Sequence, residues 1–356
     1  MIASLKLENF RCFRELSLSF ESPRVILAGS NGQGKTSILE ALFFLANLRS
    51  FRTVRTQELY RIGSSSWSMK SHIDRGSYRE LYEIEQNSVR RLRIGGKNIP
   101  RSSDFAGAFN TIAFLPDDPQ IVTGPSMLRR RFFDMFISMM DREYFRALQK
   151  YSQALRERNT LLRCENVQKG VIDAWDGILS SFGSEIISRR HIYSDMLADF
   201  MCRILTSVRP ELSNFSIRMR SGKGLEDQNV FKERLKNQFL RDKAAGFTGF
   251  GPHMDDFEFI ADGKPLRVFG SRGQCRIVSL VMKLAELDIV SSLPGGMRSS
   301  VVLIDDATGD LDRRARDSFY EKTMSAGQIF HAVTDPSDSF SYSGTQIIPV
   351  TGDSHV

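Results

Sequence analysis

The sequence predicts an α/β protein whose core is split between an early and a late stretch of chain, with a compact α-helical lobe inserted between them. Three observations predict it. The apolar run Val25-Ile26-Leu27-Ala28 leads into the glycine-rich stretch Gly29-Ser30-Asn31-Gly32-Gln33-Gly34-Lys35-Thr36, and a helical pattern at Ile38, Leu39, Ala41 and Leu42 follows. A second apolar run, Val301-Val302-Leu303-Ile304, ends in two carboxylates, Asp305 and Asp306. Between the two, from Ser126 onward, apolar residues recur at helical spacing. Residues 1–122 and 248–356 are accordingly assigned to a discontinuous core, and residues 123–247 to the lobe.

The glycine-rich stretch fits G-x-x-x-x-G-K-[ST], and its place between a strand and a helix is the context that makes a phosphate cradle. Glycines let the backbone curl so that successive N–H groups point inward, and the helix N-terminus adds the positive end of its dipole. Gly29 to Ser37 therefore form the candidate triphosphate site, with Lys35 reaching the β/γ-phosphates and Thr36 ligating Mg²⁺. The late strand supplies what such a site needs beside it: Asp305 orients Mg²⁺ or its waters, and Asp306 lies where it polarises an attacking water. Doubly wound sheets gather such residues at the C-terminal edges of their strands. Lys35, Asp305 and Asp306 are the candidate catalytic residues, and Thr36 and Asp305 the metal ligands.

Taken in order, Ile2, Leu5 and Leu7, then Leu16, Leu18 and Phe20, sit at period-two spacing around Asn9–Phe13, which predicts two strands and a short turn. Arg11 in that turn has two readings, a cation touching the triphosphate or a solvated turn arginine. The stretch Arg49-Ser50-Phe51-Arg52-Thr53-Val54-Arg55 would suit a phosphate-backbone contact or a lid over nucleotide, with a solvated loop the favoured reading. Residues 67–99 read as antiparallel strands with a Gly95-Gly96 turn, and Ile112–Leu115 as a strand stopped by Pro116. In the lobe, Tyr144, Leu148, Tyr151 and Leu155 repeat like a helix-pair seam, as do Trp175–Ile186 and Tyr193–Ile204, with a turn expected at Gln168-Lys169-Gly170. Arg129-Arg130-Arg131 is read as a solvated face. Phe257, Phe259 and Ile260 return to strand, a helix follows from Gln274 through Leu287, and Gln328–Val333 is the last strand expected.

The chain has 356 residues, 41% hydrophobic and 26% charged, the balance of a soluble globular protein. No apolar run approaches a membrane span, and the N-terminus lacks a basic flank with an apolar signal core. Four scattered cysteines without a C-x-x-C pair argue against a metal or disulfide framework and favour a cytoplasmic location. The net charge of +7 favours polyanionic partners. Five dispersed histidines and no carboxylate–histidine cluster apart from the triphosphate site disfavour a nuclease.

Ser271-Arg272-Gly273-Gln274, opening a helix between the glycine-rich loop and the acidic strand, is similar in order and character to the signature motif of ABC-type ATPases. An ordinary helix N-cap is the alternative. With Leu7–Arg11, Gly29–Thr36, Arg49–Arg52, Leu128–Asp134, Leu155–Leu162, Gly251-Pro252-His253 and Asp305–Asp312, it makes a set that spans nearly the whole chain. The chain resembles the RecF family of ABC-type recombination-mediator ATPases.

The resemblance implies an ABC-type P-loop ATPase head carrying the inserted helical lobe, using ATP and Mg²⁺. It implies an ATP-dependent homodimer that clamps duplex, gapped or junction DNA in recombinational repair and replication restart. With RecO and RecR it would help load RecA, with slow, DNA-stimulated hydrolysis resetting the clamp in the cytoplasm at the nucleoid. Ser271, Gly273 and Gln274 would then bind the γ-phosphate of nucleotide held by the other subunit. Arg11 matches a phosphate-contacting arginine, and Asp310 and Asp312 lie in the segment that communicates across the dimer. Several positions depart from the family's usual pattern: Met254 stands where arginine is common, Gly309–Asp312 where serine and glutamate are typical, and Cys275 replaces a polar residue. Thr334-Asp335 occupies the region where transporter heads carry a histidine. His331 sits earlier, on the strand, and reads as structural.

Overall fold

The computed structural model describes residues 1–165, 169–293, 300–306, 313–336 and 344–351. The chain divides into two compact units, Met1–Pro116 with Glu286–Val356, and Asp117–Ala285.

The first unit opens with β1 (Ser4–Phe10), whose Leu5, Leu7 and Phe10 are buried, and β2 (Phe13–Ser19) pairs back on it with Phe10 opposite Phe13. Strand β3 (Arg24–Ala28) runs into the glycine-rich loop and helix α1 (Lys35–Asn47). β4 (Trp67–Asp74), β5 (Arg79–Gln86), β6 (Arg90–Ile94) and β7 (Lys97–Asn98) extend the first sheet in the order β2-β1-β4-β5-β6-β7. A single turn, α2 (Ser102–Phe105), precedes β8 (Asn110–Phe114). Apart from Thr36, α1 is buried from Lys35 to Ala46. A helix apolar all round must be covered on every side, and Phe44 accordingly packs edge-on against Trp67 of the first sheet at 5.4 Å.

The second unit holds α3 (Pro119–Thr123), α4 (Ser126–Met140), α5 (Arg142–Arg163) and α6 (Lys169–Val208). The two periodic runs after 170 belong to this one helix, and of the turn expected at Gln168-Lys169-Gly170 the last two residues already open the helix, while Gln168 lies outside the described residues. On α5 the buried stripe runs Tyr144, Ala147, Tyr151, Ala154, Arg158, Leu162, so the small alanines rather than Leu148 and Leu155 lie innermost. Strand β9 (Phe215–Arg220) and helix α7 (Gln228–Ala245) follow, then β10 (Asp256–Ala261), β11 (Lys264–Pro265), the turn α8 (Leu266–Phe269) and α9 (Arg272–Ser292). Strand β9 lies in the stretch expected to be purely helical. It pairs antiparallel with β10 along Asp256↔Arg220 to Ala261↔Phe215, which keeps residues beyond 248 with the helices and enlarges this unit past 123–247.

Charges inside the second unit are paired. Arg158 is fully buried and donates to Asp176 at 2.6 Å, Asp242 at 2.8 Å and Thr248 Oγ1 at 2.9 Å. Arg190 binds Asp134, Asp255 and the Pro252 carbonyl at 2.7, 2.8 and 2.6 Å. Arg129 is no solvated residue: it is 2% exposed and holds Asp256 through two nitrogens. Gly251 has φ +123°, and a Cβ there would sit 2.4 Å from the Tyr151 hydroxyl, which bonds His253 Nδ1 at 2.7 Å. The family-like segments Leu128–Asp134, Leu155–Leu162 and Gly251–His253 are thus parts of this unit's buried polar framework.

The chain returns to the first unit from Glu286, within α9, and continues through β12 (Ser300–Asp305), α10 (Arg313–Thr323), β13 (Gln328–Val333) and β14 (Gln346–Pro349), a strand beyond the last one expected. These build a parallel sheet ordered β14-β3-β13-β12-β8. Its register sets Val333 beside Ala28 and Ala332 beside Asp305, so the ends of β3, β13 and β12 meet at one edge.

Candidate nucleotide site

At that edge Gly29 N donates to the Val333 carbonyl, and the loop 29–34 rises exposed or half-exposed to the start of α1. Gly34 is the N-cap, with φ 96° in the left-handed region. A Cβ there would lie 2.4 Å from Phe13 Cζ and 2.8 Å from Cys12 Sγ, so only glycine allows both the turn and the contact with the β1–β2 turn. The Lys35 ammonium bonds the Gly29 carbonyl and, at 2.9 Å, that of Ser30. Burial pulls its pKa below the ordinary lysine value, opposed by the charges of Asp305 and Asp306.

Thr36 and Asp305, 269 residues apart, meet directly: the threonine hydroxyl lies 2.9 Å from Asp305 Oδ2 and 3.1 Å from Oδ1. Burial pushes the Asp305 carboxyl above its usual range, against the pull of the Thr36 hydroxyl. A hydroxyl and a carboxylate side by side at a phosphate cradle are a donor pair that suits Mg²⁺, a cation that takes few protein ligands and completes its shell with phosphates and water. Asp306 is exposed and has φ 46°, a conformation a non-glycine residue holds only when its surroundings demand it. Ser37 is buried, Asn31 Oδ1 lies 3.3 Å from the Thr334 hydroxyl, and Gly32 and Gln33 complete the loop.

Arg11 is not the solvated turn arginine of one of its readings. Its guanidinium is 16% exposed and grips the buried carboxylate of Glu40 through Nε and Nη2 at 2.7 and 2.6 Å, while Nη1 reaches the Glu58 carbonyl. Ser271, Gly273 and Gln274 belong to the second unit, at the start of α9. Ser271 N donates to Gln274 Oε1 at 2.8 Å and Gln274 N to Ser271 Oγ at 3.2 Å, a reciprocal capping box, while Ser271 and Gly273 are exposed. Gly309, Asp310 and Asp312 lie outside the described residues.

Residues 1–159 match the family model described as an AAA ATPase domain. A curated relative, the DNA replication and repair protein RecF of Lachnoclostridium phytofermentans, is 31% identical over 91% of this chain and 90% of its own. The chain belongs to the RecF family. Its fold is the α/β, ABC-type P-loop ATPase fold of that family. A solved structure described as the recombination mediator protein RecF-ATP in the RecFOR pathway superposes with a TM-score of 0.83 at 27% identity, covering 95% of this chain and 93% of that one. A second, of RecF-ATPrS, gives 0.82 at 28% identity, covering 97% of each.

Sequence reasoning passed over Glu40, because a carboxylate in an apolar helix carries no motif and its partners come from other elements. Of the departures from the family pattern, Met254 is 56% exposed, Cys275 is buried with its thiol toward the Leu266 carbonyl, and His331 is buried within β13.

Proposed function

We propose that this chain is an ATP-dependent DNA-binding ATPase of recombinational repair, in which ATP closes a homodimeric clamp on duplex or gapped DNA and slow hydrolysis reopens it. The observation that carries the reading is the meeting of Thr36 with Asp305 beside the glycine-rich loop, in a chain of the RecF family. The loop amides and Lys35 bind the triphosphate. Thr36 and Asp305 would hold Mg²⁺, which when bound neutralises charge on the β- and γ-oxygens. Asp306, following Asp305 on an exposed turn, accepts the proton of the attacking water. Asp306→Asn should then retain ATP binding while phosphate release falls to background.

Ser271, Gly273 and Gln274 are assigned to the γ-phosphate of the nucleotide on the other protomer, at the exposed N-terminus of a long helix. Association with RecR and RecO, help in loading RecA and a cytoplasmic, nucleoid-associated location go with this reading. DNA contacts through Lys and Arg make binding steeply salt-dependent.

The capping box favours a second reading of Ser271 as a helix cap only. Light scattering with no nucleotide, ADP and ATP separates the two when wild type is compared with Ser271→Asp, which keeps a good cap but sets a negative charge against the phosphate. A dimer formed by wild type with ATP and lost in the variant supports the clamp. ATP-dependent dimers of both would reduce Ser271 to a cap, and a monomer throughout would remove the nucleotide-driven dimer.

A further inference from the structure

Glu40 lies one turn beyond Thr36 on α1, and its carboxylate is fully buried. Besides the two bonds from Arg11, it accepts the Ser50 hydroxyl and faces Arg52 Nη1 at 3.7 Å. The Ser50 oxygen in turn accepts the backbone N–H of Arg52 at 2.9 Å and of Thr53 at 3.1 Å. Phe51 packs edge-on against Phe43 of α1 at 5.4 Å. At the far end of the segment, Arg11 Nη1 holds the Glu58 carbonyl at 2.6 Å. One buried carboxylate on the nucleotide helix therefore fastens both ends of the segment 50–58.

Around this anchor Arg49, Arg52 and Arg55 are exposed. A buried ion pair is a weak source of stability, since apolar side chains of equal volume commonly do as well. What a carboxylate adds is a defined geometry for charged partners. The Arg52 contact is the loosest of the set, and Glu40 stays satisfied by Arg11 and Ser50 if Arg52 turns away.

We propose that Glu40 is a positioning residue that couples the arginine segment 49–55 to the nucleotide helix, so that a phosphodiester backbone engaged by those arginines is felt at the triphosphate site. This rests on the DNA-binding ATPase reading above. Phosphates compete for Arg52, the segment shifts about Ser50, and the shift passes through Glu40 to the helix whose first residues are Lys35 and Thr36.

The test measures ATP hydrolysis with and without duplex DNA in wild type, Ser50→Ala and Glu40→Gln. Ser50→Ala cuts the relay to the segment and leaves the buried Arg11–Glu40 pair in place, so the fold is kept even where Glu40→Gln fails to fold. The expected result is that the DNA-stimulated part of kcat falls at least about fivefold, the lower end of usual coupling factors, while kcat and KM without DNA stay within about twofold. Wild-type stimulation in Ser50→Ala overturns the proposal and leaves the DNA-binding ATPase reading standing. Equal loss with and without DNA overturns it too, as the mark of a merely structural role. A wild type that hydrolyses ATP without any response to DNA overturns both.

Discussion

Acid should destabilise the first unit through one histidine. His331 sits in the middle of β13, between Ile26 of β3 and Ile304 of β12, and is 3% exposed. Its Nε2 has only the Tyr320 hydroxyl at 3.5 Å, and Nδ1 has no partner among the described residues. Burial lowers its pKa from 6.5 to about 4. The unfolded chain therefore takes a proton here as pH falls below 6.5, whereas the folded chain does not until about 4. Stability from the neutral ring is whole above 6.5 and is lost as pH falls through that window. At about 1.4 kcal/mol per pKa unit the shift is worth about 3 kcal/mol.

The perturbation is His331→Leu, which is neutral and of similar volume. Urea unfolding of wild type and variant at about pH 7.5 and about pH 4.5 gives two differences, and wild type should lose about 2–3 kcal/mol more than the variant on acidification. Asp255 acts in the opposite sense. Its pKa is raised by burial from 3.8 to about 6, so its contribution is present at low pH and lost as pH rises through 6; being common to both proteins, it cancels in the comparison. Parallel pH profiles for the two proteins would refute the reasoning.

Other perturbations test the site and the lobe. Gly34→Ala forces a Cβ into Phe13 and Cys12 at a left-handed position, and should abolish binding of a fluorescent ATP analogue without unfolding the second unit; retained binding would remove the close approach as a constraint. His331→Ala should leave ATP turnover at neutral pH near wild type where Lys35→Ala removes it, since His331 lies buried in the strand; comparable losses would give the histidine a role in the chemistry. Arg158→Met leaves Asp176 and Asp242 buried without their cation, and urea unfolding should show a loss of about 3–5 kcal/mol. A loss under about 1 kcal/mol, the scale of an exposed pair, would mean that water reaches the site.

The parallel core was legible because its signals are local. Apolar strands ending in a glycine-rich loop or in carboxylates need no distant partner to be recognised, and Gly29–Thr36 and Val301–Asp306 are each complete within about ten residues. The β1–β2 hairpin was legible from period-two alternation, and the helices α5 and α6 from their stripes, although the innermost positions of α5 went to alanines. Strand β9 was missed because it is a short segment between long helices whose pairing partner, β10, comes after another helix. Strand β14 was missed because Gln346–Pro349 is only four residues with a half-exposed pattern, and its place is fixed by pairing with β3, more than three hundred residues earlier.

The sequence by itself determined the glycine-rich loop between strand and helix, the acidic strand and the family. Tertiary structure alone decided the partners of charge. Arg129 reads as one cation in a solvated run until Asp256 folds against it, and Arg11 as a turn residue until Glu40 receives it. The reason is physical: a backbone pattern is set by neighbours in sequence, whereas a charge is neutralised by whatever the fold brings within about 3 Å.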